Sequence, residues 1–247
     1  MLRIITYLAP SIPAELFALV GRHIEETAGV PTAVDFETRI SGPLDGDDDP
    51  FADGRADIGF VCAPSFRWLR ARSAVELLPL PVPLDARAAG RPVYFADVVV
   101  RSSSQAQRLD QLRGATWSYN DRNSKSGWFS MLERTGGEDF FRRLVHAGSH
   151  LRSLDLVLSG AADAAAIDSN TLRLQMQRNP SVRDGLRVIE SWGPFPIQPV
   201  IIRSAVEAGI KERVTAALLA MHELRGGELA GMGVERFARG DESDYLG

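Results

Sequence analysis

The stretch Tyr119-Asn-Asp-Arg-Asn-Ser-Lys-Ser-Gly-Trp128 holds the residues best suited to chemistry. It reads as the link from a strand to a helix. That puts Ser124, Lys125 and Ser126 at a helix start, where backbone N–H groups have no intrahelical partner. Those donors and the positive end of the helix dipole suit an oxyanion, and the two hydroxyls add donors without adding charge. Gly127 would let a ligand approach the backbone closely. The plainer local reading is an ordinary serine-capped helix. Lys125-Ser126 also has the form of a P-loop ending, but the glycine required just upstream is absent, which removes nucleotide hydrolysis.

Two further residues stand out. His150 follows Gly148-Ser149 in an expected loop, where an imidazole could donate to an oxyanion. With His146 it has a spacing that could suggest zinc, but Gly148 breaks a continuous helix there and no third ligand is evident, so no metal site is expected. Asp168 ends an apolar strand, where α/β proteins place ligands. Capping the next helix, together with Ser169, is its equally good local role.

The elements that must position these groups alternate between strand and helix, the pattern of an α/β fold. Leu2 to Tyr7, Thr32 to Glu37, Val93 to Arg101, Ala115 to Tyr119, Ala164 to Ile167 and Arg187 to Glu190 read as strands. Helical spacing runs from Leu16 to Thr27, from Leu151 to Ser159, from Thr171 to Gln177 and from Lys211 to Leu224. Gln105 to Leu112 reads as a short helix with Ser104 as its cap, and Asp45 to Asp49 as a solvated turn. One phrase occurs twice: Gly54-Arg-Ala-Asp-Ile-Gly-Phe-Val61 and Gly160-Ala-Ala-Asp-Ala-Ala-Ala-Ile167. In both, glycine is expected to end a helix, the aspartate to sit in a turn and a buried strand to follow, as if two lobes shared one plan.

Length and composition bound the possibilities. A chain of 247 residues, 45% of them hydrophobic, is comfortable for two lobes with real cores. The formal net charge of −4 gives no basic surface for nucleic acid. The single cysteine, Cys62, cannot form an internal disulfide. No apolar run approaches the roughly 20 residues needed to span a bilayer, so no direct membrane insertion is expected. The apolar start, Leu2 to Ile5, is shorter than a signal-peptide core of roughly 7–15 residues. The expected location is therefore periplasmic or lipid-anchored if a leader was removed, and cytoplasmic if Met1 is the native start.

Taken in order, these pieces resemble the phosphonate/phosphite/phosphate-binding components of ABC importers, a branch of the type 2 periplasmic binding proteins. Gly54 to Phe60 with Ala63-Pro64-Ser65-Phe66 resembles the family's stretch ending in a Gly-Pro-x-x-Tyr-like turn. Tyr94 to Arg101 resembles its tyrosine-led crossing strand. Ser124-Lys-Ser-Gly127 resembles its Ser-Thr-Ser-Gly anion loop. Gly148-Ser-His150 and Gly160 to Asp168 resemble its histidine loop and acidic strand end. Three departures stand against this: Lys125 replaces a small hydroxyl residue, Phe66 replaces tyrosine, and an acidic loop precedes Phe51 where a ligand tyrosine is common.

The resemblance implies a two-lobed type 2 fold with two hinge crossings. One lobe would be residues 1–95 and 195–247, the other 96–194, and a small oxyanion would be captured in the cleft between them. Ser124, Lys125 and Ser126 would hold the anion, and His150 would donate to it. Tyr94 would offer its phenol, Asp168 would accept from a protonated oxygen or an amine, and Ala63 to Ser65 would close the site from the first lobe. The activity implied is binding for an ABC permease, with no cofactor and no catalytic residue. The alternative from another class is a cytoplasmic enzyme or sensor on the same fold, acting on a small anionic metabolite.

Overall fold

The computed structural model describes residues 1–7, 13–37, 39, 42–72 and 74–246. The chain divides into two compact units, residues 1–93 with 196–247 (unit 1) and residues 94–195 (unit 2). In chain order the strands are β1 (Leu2–Thr6), β2 (Thr32–Phe36), β3 (Ile58–Phe60), β4 (Val75–Leu77), β5 (Leu80–Pro83), β6 (Val93–Arg101), β7 (Thr116–Tyr119), β8 (Arg143–His146), β9 (Ala164–Asp168), β10 (Leu186–Pro196), β11 (Val200–Arg203) and β12 (Val234–Ala238). The helices used below are α1 (Ala14–Ala28), α2 (Ala63–Arg70), α3 (Ser130–Thr135), α4 (His150–Leu158) and α5 (Ser169–Arg178).

Each unit is built on a five-stranded sheet, and the two sheets follow one plan. In unit 1 the order is β2-β1-β3-β11-β4; β1 runs parallel to β2 and β3, and β11 is antiparallel to β3. In unit 2 the order is β8-β7-β9-β6-β10; β7 runs parallel to β8 and β9, and β6 is antiparallel to β9. A small sheet of β5 and β12 completes unit 1.

The repeated Gly-x-Ala-Asp phrase does the same work in both sheets. Asp57 Oδ2 accepts from the Arg3 amide at 3.0 Å, and Asp163 Oδ2 accepts from the Thr116 amide at 2.8 Å. Each aspartate thereby clips its strand to the first residues of the parallel neighbour. Each also pairs with the arginine that ends the antiparallel neighbour, Arg203 at 2.7 Å and Arg101 at 3.5 Å. Both glycines, Gly54 and Gly160, have positive φ, at 73° and 80°. Only Gly160 follows a helix; Gly54 closes a run of turns, where a helix end was expected. The glycine is required by its backbone angle, which a tight turn and a helix end share.

Unit 2 buries both faces of its sheet. Ala96, Val98 and Val100 of β6 and Ala164 and Ala166 of β9 pack with Trp117, Trp128 and Trp192 on one side. Val99, Ala165 and Ile167 pack with Leu154, Val157, Leu172 and Leu186 on the other. This is the period of two expected of strands, with helices covering both faces. In unit 1, α1 buries Leu16, Phe17, Leu19, Val20 and Ile24 along one stripe and ends at Gly29, whose φ is 66°.

The expected helix over Gln105 to Leu112 and its cap at Ser104 are corrected. Within Gln105 to Leu112 only Leu109–Leu112 is helical, as a single 3-10 turn. Ser104 caps nothing longer than a bend, its Oγ accepting from the Ala106 amide at 3.3 Å. The acidic loop is held down by its own carboxylates: Asp47 accepts from the Leu44 amide at 2.9 Å, Asp49 from the Phe51 amide at 2.9 Å, and Asp45 from the Trp68 indole at 3.2 Å.

Candidate functional site

The carboxyl ends of β7, β8 and β9 lie side by side in unit 2, because Tyr119 is in register with His146 and Ser118 with Ala165. Each of these ends delivers a candidate. From β7 the chain passes through Asn120–Asn123 into a turn over Lys125–Phe129. The Ser124 carbonyl accepts from the amides of Trp128 at 3.1 Å and Phe129 at 3.0 Å, so the turn is wound five residues wide instead of four. Such π-turns recur at functional sites. The Gly127 amide donates to Ser124 Oγ at 3.0 Å. Ser124 is therefore a side-chain cap, and the amides of Lys125 and Ser126 head the turn, where helical donors have no carbonyl behind them.

Ser126 is buried, 3% exposed, and its Oγ lies 3.3 Å from Ser124 Oγ and 3.1 Å from His150 Nε2. His150 was expected in a loop; it is the first residue of α4, with Ser149 as the cap whose Oγ accepts from the Arg152 amide at 3.1 Å. Gly148, at φ 82°, turns the chain from β8 so that the helix can start immediately afterwards. A hydrogen bond of 3.0 Å from Ser118 to Ser153 ties β7 to α4, which fixes the imidazole over the turn.

Burial alone drives the His150 imidazole down to about pH 4, so it is neutral at neutral pH. A neutral imidazole has one N–H. Its Nδ1 is buried without a hydrogen-bond partner among the described residues. With the proton on Nε2, His150 donates to Ser126 Oγ and leaves the serine proton free to point at an acceptor. With the proton on Nδ1, that N–H goes unsatisfied, and in either tautomer Nδ1 has no partner among the described residues. The first arrangement leaves the Ser126 O–H as a donor, which suits an oxyanion.

A serine within 3.1 Å of a histidine also has the outline of a nucleophile beside a base, but an imidazole that donates from Nε2 to Ser126 cannot take the serine proton. The third member is missing, because His150 Nδ1 has no acceptor to orient it.

Asp168 takes its local role: Oδ1 accepts from the amides of Asn170 at 2.9 Å and Thr171 at 3.1 Å, capping α5. It stays on the same sheet edge as Ser126. Tyr94 does too, since β6 pairs Ala96 with Asp168 and Tyr94 lies two residues beyond. The Tyr94 ring is buried and packs 5.7 Å from Phe195. Lys125 is not brought to the serine hydroxyls; its ammonium pairs with Glu133 of α3 at 2.6 Å and lies 5.3 Å from the Phe195 ring. Ser65 belongs to unit 1, fully buried in the first turn of α2, its Oγ 2.9 Å from Cys62 Sγ. Phe66 is core, against Tyr245, so the hydroxyl it lacks would have had to be buried.

Sequence reasoning missed Asn120. It is 7% exposed, and its Oδ1 has no hydrogen-bond partner among the described residues. A Cβ on Gly127 would lie 1.9 Å from that oxygen, so glycine is needed there to make room for Asn120, whatever a ligand needs. Trp128 packs under the turn, 4.5 Å from Tyr119 and beneath Arg122 at 4.4 Å. No cluster of potential metal ligands exists among the described residues.

The model of the family of ABC transporter phosphonate periplasmic substrate-binding proteins matches residues 4–245. No curated protein matches the sequence. Among solved structures, a binding-protein component of an ABC phosphonate transporter from Pseudomonas aeruginosa is 17% identical with a TM-score of 0.76, over 99% of this chain and 82% of that one. PhnD1 from Prochlorococcus marinus in complex with methylphosphonate is 14% identical with a TM-score of 0.78, over 99% and 94%. A Xanthomonas citri protein bound to ATP is 17% identical with a TM-score of 0.70, over 98% and 92%. At these identities the likeness is one of fold.

Proposed function

Since the chain belongs to the phosphonate periplasmic substrate-binding family of ABC transporters, we propose that the carboxyl edge of unit 2 captures a small oxyanion of the phosphonate, phosphite or phosphate type. The amides of Lys125 and Ser126 and the hydroxyls of Ser124 and Ser126 hold it. His150 backs the Ser126 hydroxyl, and Tyr94 and Asp168 flank the same edge. The observation that carries this is the 3.1 Å contact between two buried groups, Ser126 Oγ and His150 Nε2, at the head of a helical turn. The methylphosphonate complex of the similarly folded PhnD1 supports the ligand class. Family membership supports delivery to a permease from the periplasm, and no described helix is long and apolar enough to cross a membrane.

The test is calorimetric titration with methylphosphonate, phosphite and phosphate, repeated on Ser126→Ala. At least one ligand should bind, and the variant should lose on the order of 1–3 kcal/mol of affinity, the usual cost of a bond to a charged group. Unchanged affinity in the variant would leave the turn as a helix cap and nothing more.

A further inference from the structure

Asn120 stands at the Ser124 turn with a group that nothing in the chain uses. It is the first residue after β7 and is 7% exposed, and its Oδ1 is buried with no hydrogen-bond partner among the described residues. That oxygen packs against Gly127, next in sequence to Ser126, where a Cβ would lie 1.9 Å from it. The donors around it are committed elsewhere. The Gly127 amide goes to Ser124 Oγ at 3.0 Å, and the amides of Trp128 and Phe129 go to the Ser124 carbonyl. The Ser124 amide goes to the Asp121 carbonyl at 3.2 Å, the Asn123 amide to the Asp121 carboxylate, and the Ala147 amide to the Tyr119 carbonyl at 2.8 Å. A buried carbonyl oxygen without a donor costs free energy until one arrives.

The charges nearby say what kind of donor fits. Lys125 is paired with Glu133 at 2.6 Å and Arg122 with Glu138 at 3.4 Å, and burial holds His150 neutral. Where these groups give no uncommitted cation, stripping water from a dianion costs more than stripping it from a monoanion. Asp168, expected to accept from a protonated ligand oxygen, has its Oδ1 on the Asn170 and Thr171 amides. Asn120 Oδ1 is a neutral acceptor with no amide to serve.

Resting on the oxyanion reading above, we propose that Asn120 determines the specificity of that site. Its Oδ1 accepts the O–H of a singly charged phosphonate, phosphite or phosphate, so the protein takes the hydrogen-bearing monoanion in preference to the dianion. The test is calorimetric titration of the parent and of Asn120→Ala with methylphosphonate, from about pH 6 to about pH 9, a range that spans the ligand's second ionisation. Methanesulfonate is the control, since it has a similar outline and a single charge but no proton to give. Parent affinity for methylphosphonate should fall as the ligand loses its second proton. Asn120→Ala should bind the monoanion about tenfold more weakly, and the gap should close at the alkaline end. Methanesulfonate should bind the parent no better than the variant. His146, exposed beside Tyr119, and the Arg122 and Lys125 ion pairs are common to both chains, so their effects cancel in the ratio. A parent-to-variant ratio that does not change with pH, or an equal loss for methanesulfonate, overturns the proposal, because an Asn120 that donates or merely packs gives that result. Urea unfolding should show Asn120→Ala as stable as the parent or more so, since it removes an unpartnered buried group. If the variant does not fold, the parent decides alone: methylphosphonate affinity that holds or rises with pH overturns the proposal. Failure of methylphosphonate, phosphite and phosphate all to bind sinks the oxyanion site and this inference together, whereas binding with a pH-independent ratio sinks this inference only.

Discussion

His150→Gln should flatten the acid side of the stability curve. Gln keeps an amide near the position of Nε2 but cannot take up a proton in this range. In the parent chain, burial lowers the imidazole from its ordinary 6.5 to about 4. Between those values the unfolded chain binds a proton that the folded chain refuses, so unfolding is favoured as pH falls. The contribution is complete above about pH 6.5, declines as pH drops through the window, and is gone below about pH 4. At roughly 1.4 kcal/mol per pH unit, the full loss is about 3 kcal/mol as an upper figure. Urea unfolding at pH 7.5, 6, 5 and 4 reads it by intrinsic fluorescence, because Trp117, Trp128 and Trp192, of the four tryptophans, are buried in unit 2. The stability of the parent minus that of the variant should fall by up to about 3 kcal/mol from pH 7.5 to pH 4. A difference that stays constant across that range would mean the imidazole is not desolvated, and the neutral-donor picture of the site would go with it.

Other perturbations follow from single contacts. Lys125→Thr removes an exposed pair with Glu133, so stability should change by about 1 kcal/mol or less and methylphosphonate affinity by about twofold or less; a tenfold loss would place the ammonium on the ligand. Gly127→Ala forces a Cβ against Asn120 Oδ1 and should cost about 1–3 kcal/mol in urea unfolding. Adding Asn120→Ala should recover part of that cost, and strict additivity would refute the clash. Asp57→Ala strips the Arg3 amide and the Arg203 guanidinium of their partner and should destabilise unit 1 by about 2–4 kcal/mol, more than Asp163→Ala in unit 2, where the arginine is farther away.

The two-unit α/β organisation was readable because its signals are local. The strands around Val98 and Ala165 are short apolar runs buried on both faces, and Gly-x-Ala-Asp marks the same strand entry twice. The turn after β7 was readable as a strand-to-helix junction with paired serines. Its five-residue winding was not, because nothing in Lys125 to Phe129 distinguishes a wide turn from an ordinary one. The helical start at His150 was hidden by Gly148, which breaks a helix yet here only redirects the chain one residue before the cap. The Ser126–His150 contact was not legible either. It joins residues from two strand ends, and the sequence does not say that β7 and β8 are neighbours. Gly127 was singled out for the close approach of a ligand, but what requires glycine there is Asn120, a side chain whose burial no local pattern announces.

The charges around the Ser124 turn bear on how the proposed site would discriminate. The nearest ammonium, Lys125, is taken up by Glu133, and the nearest imidazole is held neutral by burial. At the proposed site an oxyanion would then meet neutral donors, two leading amides and two hydroxyls, fixed by the cap at Ser124 and by α4 behind Ser126, with the Arg122 guanidinium over the Trp128 ring and paired with Glu138 at 3.4 Å. A donor set of this kind selects by the placement of oxygen atoms more than by total charge. Buried donors are also screened little by salt, whereas a site built on exposed cations weakens as the ionic atmosphere thickens. Affinity for methylphosphonate should therefore change by less than about threefold between 50 mM and 500 mM sodium chloride, a range over which exposed ion pairs are heavily screened. A steep fall with salt would move the binding energy away from Ser124 and Ser126 and onto arginines or lysines elsewhere on the edge.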